Sequence, residues 1–116
     1  MPLFRISVSS NPKKEISDAV LKEISANVAS ILSKPENYVQ AIFQANVPIL
    51  FAGTDAPSAY VEIKSIGSLN PGNCKSICNY VSTLFEDKLN INGKRIYFEF
   101  TDVAPSMWGW DQNTFG

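Results

Sequence analysis

An N-terminal proline is the residue of this chain with the clearest chemical potential. The sequence begins Met1-Pro2, and an initiator methionine is removed when the next residue is small, so we expect Pro2 to become the mature N-terminus. A terminal proline carries a secondary amine on a rigid ring, and an α-amino group has a pKa of about 8, well below that of a lysine. Burial or a neighbouring cation would lower this pKa and leave a neutral base at physiological pH. The alternative interpretation is an ordinary start site, since many chains open with Met-Pro.

The composition excludes several classes of function. With 116 residues, of which 45% are hydrophobic, the chain is expected to form one domain, residues 1–116, around a single core. Its net charge is −1 and it has no basic run, so we expect no nucleic acid partner. No apolar run approaches the ~20 residues that cross a bilayer, and charged residues interrupt the start of the chain, where a signal peptide would be apolar. The expected location is therefore the cytoplasm, with secretion only by a leaderless route.

Two cysteines, Cys74 and Cys78, lie four residues apart in a helical pattern. A structural zinc site needs four nitrogen or sulfur ligands, and the chain contains no histidine. Disulfides are rare in a reducing cytoplasm. Both cysteines fall on the apolar stripe of their helix, so we interpret them as small core residues rather than as a redox pair. No metal or other cofactor is expected.

The elements that must position Pro2 form a repeat. Alternating apolar residues predict strands, and an apolar period of about 3.6 residues predicts helices. The predicted strands cover residues 2–8, 38–45, 58–66 and 95–102, and the predicted helices cover residues 14–33 and 71–89. Ser33 and Lys34 are expected to close the first helix before Pro35. Two β-α-β units form one four-stranded sheet with both helices on one face, so the predicted fold class is α+β, a ferredoxin-like two-layer sandwich.

Alternation along the strands assigns their two faces. The residues expected to face the helices are apolar: Phe4, Ile6, Val39, Phe43, Val61, Ile63, Ile96, Phe98 and Phe100. The opposite face is mixed and carries Leu3, Arg5, Gln40, Ile42, Tyr60, Glu62, Lys64, Tyr97 and Glu99. One face of an antiparallel sheet can simply meet water. Aromatic and aliphatic residues among charges favour a protein–protein interface instead, and we expect self-association through this face.

Six short motifs together identify a family resemblance. In chain order they are Pro2, Lys34-Pro35, Ser65-Ile66-Gly67, Arg95-Ile96-Tyr97, Trp108-Gly109-Trp110 and Asn113-Thr114-Phe115. Each is common by itself, but their joint occurrence resembles the macrophage migration inhibitory factor (MIF) family of the tautomerase superfamily, over the whole chain. The resemblance implies a homotrimer whose helix-free sheet faces surround a central channel, with three active sites at subunit boundaries. It also implies cofactor-independent keto–enol tautomerisation of phenylpyruvate-like α-keto acids and of D-dopachrome methyl ester.

The resemblance also assigns roles to residues. Pro2 would be the catalytic base, and Lys34 and the backbone N–H of Ile66 would bind the substrate carboxylate. Tyr97 of a neighbouring subunit would donate a hydrogen bond to the substrate. The aromatic ring of the substrate would lie against an apolar wall formed by Leu3, Tyr38, Val103, Trp108 and Phe115. Without the family, Lys34 is equally well explained as a cation at a helix C-terminus, Tyr97 as an interface aromatic, and Trp108 as a packing residue.

The chain departs from the family pattern near this site. Ser58 and Val61 stand where vertebrate members carry a Cys-x-x-Cys pair, which excludes a thiol oxidoreductase activity. Glu99 replaces an asparagine near the pocket mouth, and its charge would disfavour an anionic substrate and raise the pKa of Pro2. Lys64 replaces a histidine of some members, and its added positive charge would offset Glu99.

Two competing functions follow from the remaining features. Lys13 and Asn46 replace residues implicated in receptor engagement by the vertebrate cytokine, so signalling in that mode is disfavoured. A second hypothesis is nevertheless a secreted, cytokine-like protein that binds a receptor and whose pocket is vestigial or a docking site. A third is a ferredoxin-like regulatory module, which would retain Met1 and give Pro2 no role. The mass of the intact protein separates the third hypothesis from the other two.

Overall fold

Two β-α-β units build the sheet and its two helices in the computed structural model, which describes residues 1–116. The main strands are β1 (Pro2–Val8), β2 (Gln40–Gln44), β3 (Ala59–Ser65) and β4 (Ile96–Asp102), and the helices are α1 (Lys14–Ile31) and α2 (Pro71–Leu89). Two short strands, β5 (Gly109–Trp110) and β6 (Asn113–Thr114), pair as a hairpin in the tail. Short 3₁₀ turns cover Glu36–Tyr38, Gly93–Arg95 and Pro105–Met107.

The four-stranded sheet has the strand order β2-β1-β3-β4. The pairs β1–β2 and β3–β4 are parallel, whereas the central pair β1–β3 is antiparallel. Each parallel pair belongs to one β-α-β unit, because parallel neighbours need a crossover connection, which here contains a helix. The central pair runs from Pro2 opposite Ser65 to Val8 opposite Ala59. The predicted α+β fold is therefore confirmed, and Pro2 opens a central strand of the sheet.

The core lies between one face of the sheet and the two helices. It is a cluster of 17 buried side chains, which includes Phe4, Ile6 and Val8 of β1, Val61 and Ile63 of β3, Val20, Ile24 and Val28 of α1, and Ile77, Val81 and Phe85 of α2. Burial of one large apolar side chain contributes about 1.5–3 kcal/mol to the stability of the fold. The apolar face of each strand therefore packs against the helices, and alternation along the strand predicts which face this is. Phe98 and Phe100, predicted for the same face, are only partly buried against the cluster, because β4 is an edge strand.

The cysteines are not core residues, so that prediction is wrong. Cys74 and Cys78 are half-buried free thiols. The buried stripe of α2 runs through Ile77, Val81 and Phe85, and the two thiols lie at its margin. Partial burial raises the pKa of both thiols. Neither helix of the structure is sufficiently long and apolar to cross a membrane.

Candidate active site

A cleft opens at the end of the sheet where β1 begins. Its volume is about 470 Å³. Its lining comes from the N-terminus, the connection between α1 and β2, and the tail: Met1, Pro2, Asn37, Tyr38, Val39, Gln40, Trp108, Gly109, Trp110 and Phe115. Pro2 is the buried member of this set. The sheet holds the backbone of Pro2, while the other residues of the lining remain accessible to solvent. Asn37, Val39 and Gln40 are not among the predicted site residues, and no sequence motif marks them.

The N-terminal amine lies beside this cleft in an environment that favours its neutral form. Pro2 is in register with Ser65 of β3, and the α-amino group of the structure is that of Met1, directly before it. Burial, and then the positive charge of Lys34, lower the pKa of this amino group below its ordinary value. Both causes destabilise a cationic amine. The Met1 amino group is therefore shifted toward its neutral form, which can accept a proton.

The turn after α1 positions Lys34. Ser33 adopts a left-handed backbone with a φ of 53°, so α1 stops short of its predicted end at residue 33. The N–H groups of Ser33 and Lys34 donate to the carbonyl oxygens of Ser30 and Ala29, at 3.1 and 2.9 Å. This is the Schellman arrangement, which is usually built on glycine. The Lys34 Nζ then donates to the carbonyl oxygen of Ile66 at 3.1 Å, so the structure brings these two predicted residues together at the Pro2 end of the sheet.

Ring contacts hold the aromatic wall of the cleft. The Tyr38 ring meets the Trp110 ring edge to face, with centroids 5.7 Å apart. Trp110 also stacks on Phe115, with centroids 5.9 Å apart and an angle of 9° between the rings. The N–H of Phe115 donates to the carbonyl oxygen of Trp108 at 3.1 Å, which ties the end of the tail to its hairpin. Trp110 was not predicted as a site residue, yet it joins both halves of the wall; its spacing of two from Trp108 is the sequence signal that could have identified it.

Five predicted site residues lie near the cleft but do not line it: the paired Lys34 and Ile66 described above, and Leu3, Lys64 and Val103. Leu3 and Lys64 are cross-strand neighbours on the helix-free face of the sheet. The Lys64 Nζ lies 3.5 Å from a carboxylate oxygen of Glu62, which draws its charge toward the middle of that face. Val103 follows β4, and its N–H donates to the carbonyl oxygen of Ser65 at 2.9 Å. These residues border the Pro2 end of the sheet rather than the cleft of their own chain.

Tyr97 and Glu99 lie far from the cleft of their own chain. Along β4, Tyr97 is five residues from the row that contains Pro2, a separation of about 17 Å at the usual rise of ~3.3 Å per residue. Its side chain is 67% exposed. Glu99 is opposite Glu62, near the middle of the sheet. The tyrosine side chain is much shorter than this separation, so one chain does not bring Tyr97 and Pro2 to the same bound molecule.

Ion pairs and hydrogen bonds join side chains along the helix-free face of the sheet. Arg5 lies 3.1 Å from a carboxylate oxygen of Glu62, and the Tyr60 hydroxyl donates to the same carboxylate at 3.4 Å. The hydrogen bond from Arg5 lowers the pKa of Glu62. Partial burial, followed by the charges of Glu62 and Glu99, raises the pKa of Tyr60. Glu99 itself accepts a hydrogen bond from Thr101 at 2.7 Å.

No group of three or more histidine, cysteine, aspartate or glutamate side chains is arranged to hold a metal ion.

Comparisons with known proteins agree on one family. A family model described as Macrophage migration inhibitory factor (MIF) matches residues 1–116. A curated macrophage migration inhibitory factor homolog from Brugia malayi is 36% identical over 116 residues, which is 100% of each chain. The crystal structure of a macrophage migration inhibitory factor homologue from Prochlorococcus marinus has a TM-score of 0.93 and 38% identity, over 98% of this chain and 99% of that chain. A macrophage migration inhibitory factor-like protein from Entamoeba histolytica has a TM-score of 0.92 and 29% identity, over 98% of each chain.

Proposed function

This chain belongs to the macrophage migration inhibitory factor family of the tautomerase superfamily, and from that membership we propose that it is a cofactor-independent keto–enol tautomerase of the phenylpyruvate or dopachrome type. One observation carries the proposal. Pro2 is the buried member of an otherwise accessible cleft, and once Met1 is removed its amine would lie where burial and the charge of Lys34 lower the pKa of the Met1 amino group. A general base works best when its pKa lies near the working pH, because it is then both unprotonated and a good proton acceptor.

The proposed reaction requires removal of Met1, which leaves the secondary amine of Pro2 at the cleft. The neutral amine takes a proton from the carbon next to the substrate ketone. The electron pair of that C–H bond forms a C=C bond, and the ketone oxygen becomes an enolate. The protonated amine then returns the proton to this oxygen, which gives the enol; the same steps in reverse give the ketone. Because the base is restored in each cycle, no co-reactant is consumed.

The cleft and the Lys34–Ile66 pair beside it offer groups for both parts of an aromatic α-keto acid. The Lys34 ammonium would bind the carboxylate together with the backbone N–H of Ile66, and its contact with the Ile66 carbonyl at 3.1 Å supports this pairing. The substrate ring would lie against Tyr38, Trp110 and Phe115. Aromatic rings favour edge-to-face and offset stacked contacts, both of which this wall already contains. An apolar wall of this kind also keeps water away from the reacting carbon.

The remaining groups of the site would come from a second copy of the chain. We propose a homotrimer associated through the helix-free face of the sheet, in which Tyr97 of one subunit donates a hydrogen bond to the substrate held at Pro2 of the next. The exposure of Tyr97, at 67%, and of Tyr60, at 36%, supports this face as the interface. Association would remove these rings from water, and aromatic residues are enriched in interface cores. In such an assembly Leu3, Lys64 and Val103 would border the completed site.

The cytokine-like alternative gives the cleft a role in receptor binding rather than in catalysis. Glu99 is the observation that favours it, because a carboxylate brought near the pocket mouth would disfavour an anionic substrate. In that role the protein would act outside the cell after leaderless secretion. A metabolic tautomerase would instead act in the cytoplasm.

Two measurements on the purified protein test the tautomerase proposal. The mass of the intact protein should show that Met1 is absent. Pro2→Gly should lower phenylpyruvate tautomerisation by ~10²–10⁴-fold, the usual contribution of a general base, with an unchanged circular dichroism spectrum. Pro12→Gly changes a proline outside the cleft and should keep wild-type activity. Retained Met1 would exclude the catalytic role and favour the regulatory-module hypothesis, whereas wild-type turnover in Pro2→Gly would exclude the catalytic role and leave the docking alternative.

A further inference from the structure

A single arginine, Arg95, holds the loop that lies beside Tyr97. Its guanidinium N–H groups donate to four backbone carbonyl oxygens at 2.9–3.2 Å, those of Phe51, Thr54, Ala56 and Pro57. All four belong to one loop, residues 51–57, which precedes β3. Arg95 itself lies directly before β4, two residues from Tyr97. The side chain therefore ties this loop to the start of the strand that carries the tyrosine.

The loop has little else to hold its shape. Phe51 and Thr54 form a bridge in which the N–H of each donates to the carbonyl oxygen of the other, at 3.0 and 3.1 Å. The two residues between them, Ala52 and Gly53, have φ angles of 54° and 73°. Two positive φ angles are characteristic of a type I′ turn, and this conformation is unfavourable for an alanine. Residues 52–57 are also exposed, so packing contributes little, and the hydrogen bonds from Arg95 are the main connection between the loop and the sheet.

The loop reaches Tyr97 through the ring of Phe51. The centroids of the Phe51 and Tyr97 rings are 4.7 Å apart, with the rings tilted by 49°. The guanidinium carbon of Arg95 lies 5.2 Å from the centroid of the Phe51 ring, within the range of a cation–π contact. Phe51 is thus held by Arg95 both at its backbone and at its ring, while it supports the ring of an otherwise exposed tyrosine.

We propose that Arg95 is a positioning residue for Tyr97. By holding residues 51–57 it keeps Phe51 against the tyrosine ring and thereby sets the direction of the tyrosine hydroxyl. This inference rests on the proposed tautomerase function, in which that hydroxyl donates to a substrate in the neighbouring subunit. Small displacements of a group that acts on the reacting molecule can cost a large part of the rate. A lysine would not replace Arg95, because its ammonium is a single point of charge, whereas the planar guanidinium spreads five donors over a rigid fork.

A double-mutant cycle on the full chain tests this inference. Arg95→Lys keeps the positive charge and removes the planar guanidinium with its five N–H donors. Tyr97→Phe keeps the aromatic ring and removes only the hydroxyl. Each variant should lower kcat/KM for phenylpyruvate by about tenfold, the effect of one lost hydrogen bond. The double variant should be no slower than the slower single variant, because Arg95 acts only through the hydroxyl. A loss in the double variant equal to the product of the two single losses would overturn the inference, as would wild-type kinetics in Arg95→Lys.

Controls separate positioning from assembly and from the proposed function itself. Lys94→Ala removes an adjacent exposed cation and should keep wild-type kcat/KM. Sedimentation velocity at the assay concentration should show the same oligomer for Arg95→Lys as for the wild type. If Arg95→Lys does not fold or assemble, Phe51→Leu takes its place in the cycle, since it keeps the loop carbonyls and removes the ring contact with Tyr97. An inactive wild type would overturn both the inference and the proposed function, whereas multiplying losses in an active, Pro2-dependent protein would overturn the inference alone.

Discussion

At the end of the sheet where β1 begins, one chain encloses a cleft that contains a buried proline and a wall of stacked rings, and Lys34 lies close to the terminal amine at this end. Toward the other end, the same sheet presents Tyr60 and Tyr97 on an open face, with Tyr97 supported by Phe51. The first region is a cleft that Tyr97 does not line, and the second presents the Tyr97 hydroxyl beside a smaller apolar cavity of about 210 Å³.

This difference has a geometric cause. Because β1 and β3 are antiparallel and β3 and β4 are parallel, the start of β4 lies at the opposite end of the sheet from the start of β1. A strand is rigid and extends by about 3.3 Å per residue, so no side-chain movement brings Tyr97 to Pro2 within one chain. If both residues act on one substrate, as we propose, the complete site needs two copies of the chain.

After Pro2→Gly, the largest effect is expected from Lys34→Ala, which removes the positive charge beside the terminal amine. A hydrogen bond to a charged group contributes about 1.5–3 kcal/mol, so KM for phenylpyruvate should rise roughly 10–100-fold. The charge of Lys34 also lowers the pKa of the terminal amine. Its removal should therefore raise that pKa and move the acid limb of the pH–rate profile to higher pH. Lys22→Ala on α1 is the control, and an unchanged KM for Lys34→Ala would restrict Lys34 to its role at the helix C-terminus.

Mixing two defective variants tests whether the two ends of the sheet meet between subunits. Pro2→Gly lacks the base, and Tyr97→Phe lacks the hydroxyl. If each site is shared by two subunits, refolding equal amounts together places an intact Pro2 beside an intact Tyr97 in about a quarter of the sites of a ring. The mixture should then be several-fold more active than the sum of the two variants refolded separately. Activity equal to that sum would mean that the two residues do not share a site.

Glu99→Asn should act on the amine in the opposite direction to Lys34→Ala. If the proposed assembly brings Glu99 near Pro2, its carboxylate stabilises the protonated amine, so its removal should lower the pKa of Pro2 and lower KM for an anionic substrate. The acid limb of the pH–rate profile should move to lower pH, and the shift should shrink as salt is added. Asp87→Asn on α2 is the control. An unchanged profile would place Glu99 away from the site in the assembly.

The smallest effect is expected at the turn that carries Lys34. Ser33 has a φ of 53°, a conformation that glycine adopts at lower cost. Ser33→Gly should therefore raise the free energy of unfolding by about 0.5–1 kcal/mol, measured by urea denaturation, with little change in KM. Ser30→Gly makes the same substitution inside α1 and should lower the stability by about 0.5 kcal/mol. If both substitutions lower the free energy of unfolding, the backbone of Ser33 is not strained.

Local patterns predicted most of the fold and part of the candidate site. The observed β1 and α2 have the predicted bounds, residues 2–8 and 71–89, because apolar alternation and a helical period each act over a few residues. The end of α1 was missed, since the left-handed conformation of Ser33 is uncommon for serine and is stabilised by two backbone hydrogen bonds. The burial of Cys74 and Cys78 was overestimated, because the exact rotation of α2 depends on how its larger side chains pack.

The sequence by itself identified the candidate functional residues and the face of the strand that each strand residue occupies. Pro2 before an alternating strand, Lys34 after a helix and Tyr97 on the helix-free face were all readable there, since a strand alternates its faces with a period of two residues. Only the tertiary structure decided which of them meet. The strand order β2-β1-β3-β4 put Pro2 beside Ser65 and separated it from Tyr97, and the tail hairpin brought Trp110 onto Tyr38. Periodicity is a property of the local backbone, whereas strand order and register follow from burying the whole core at once.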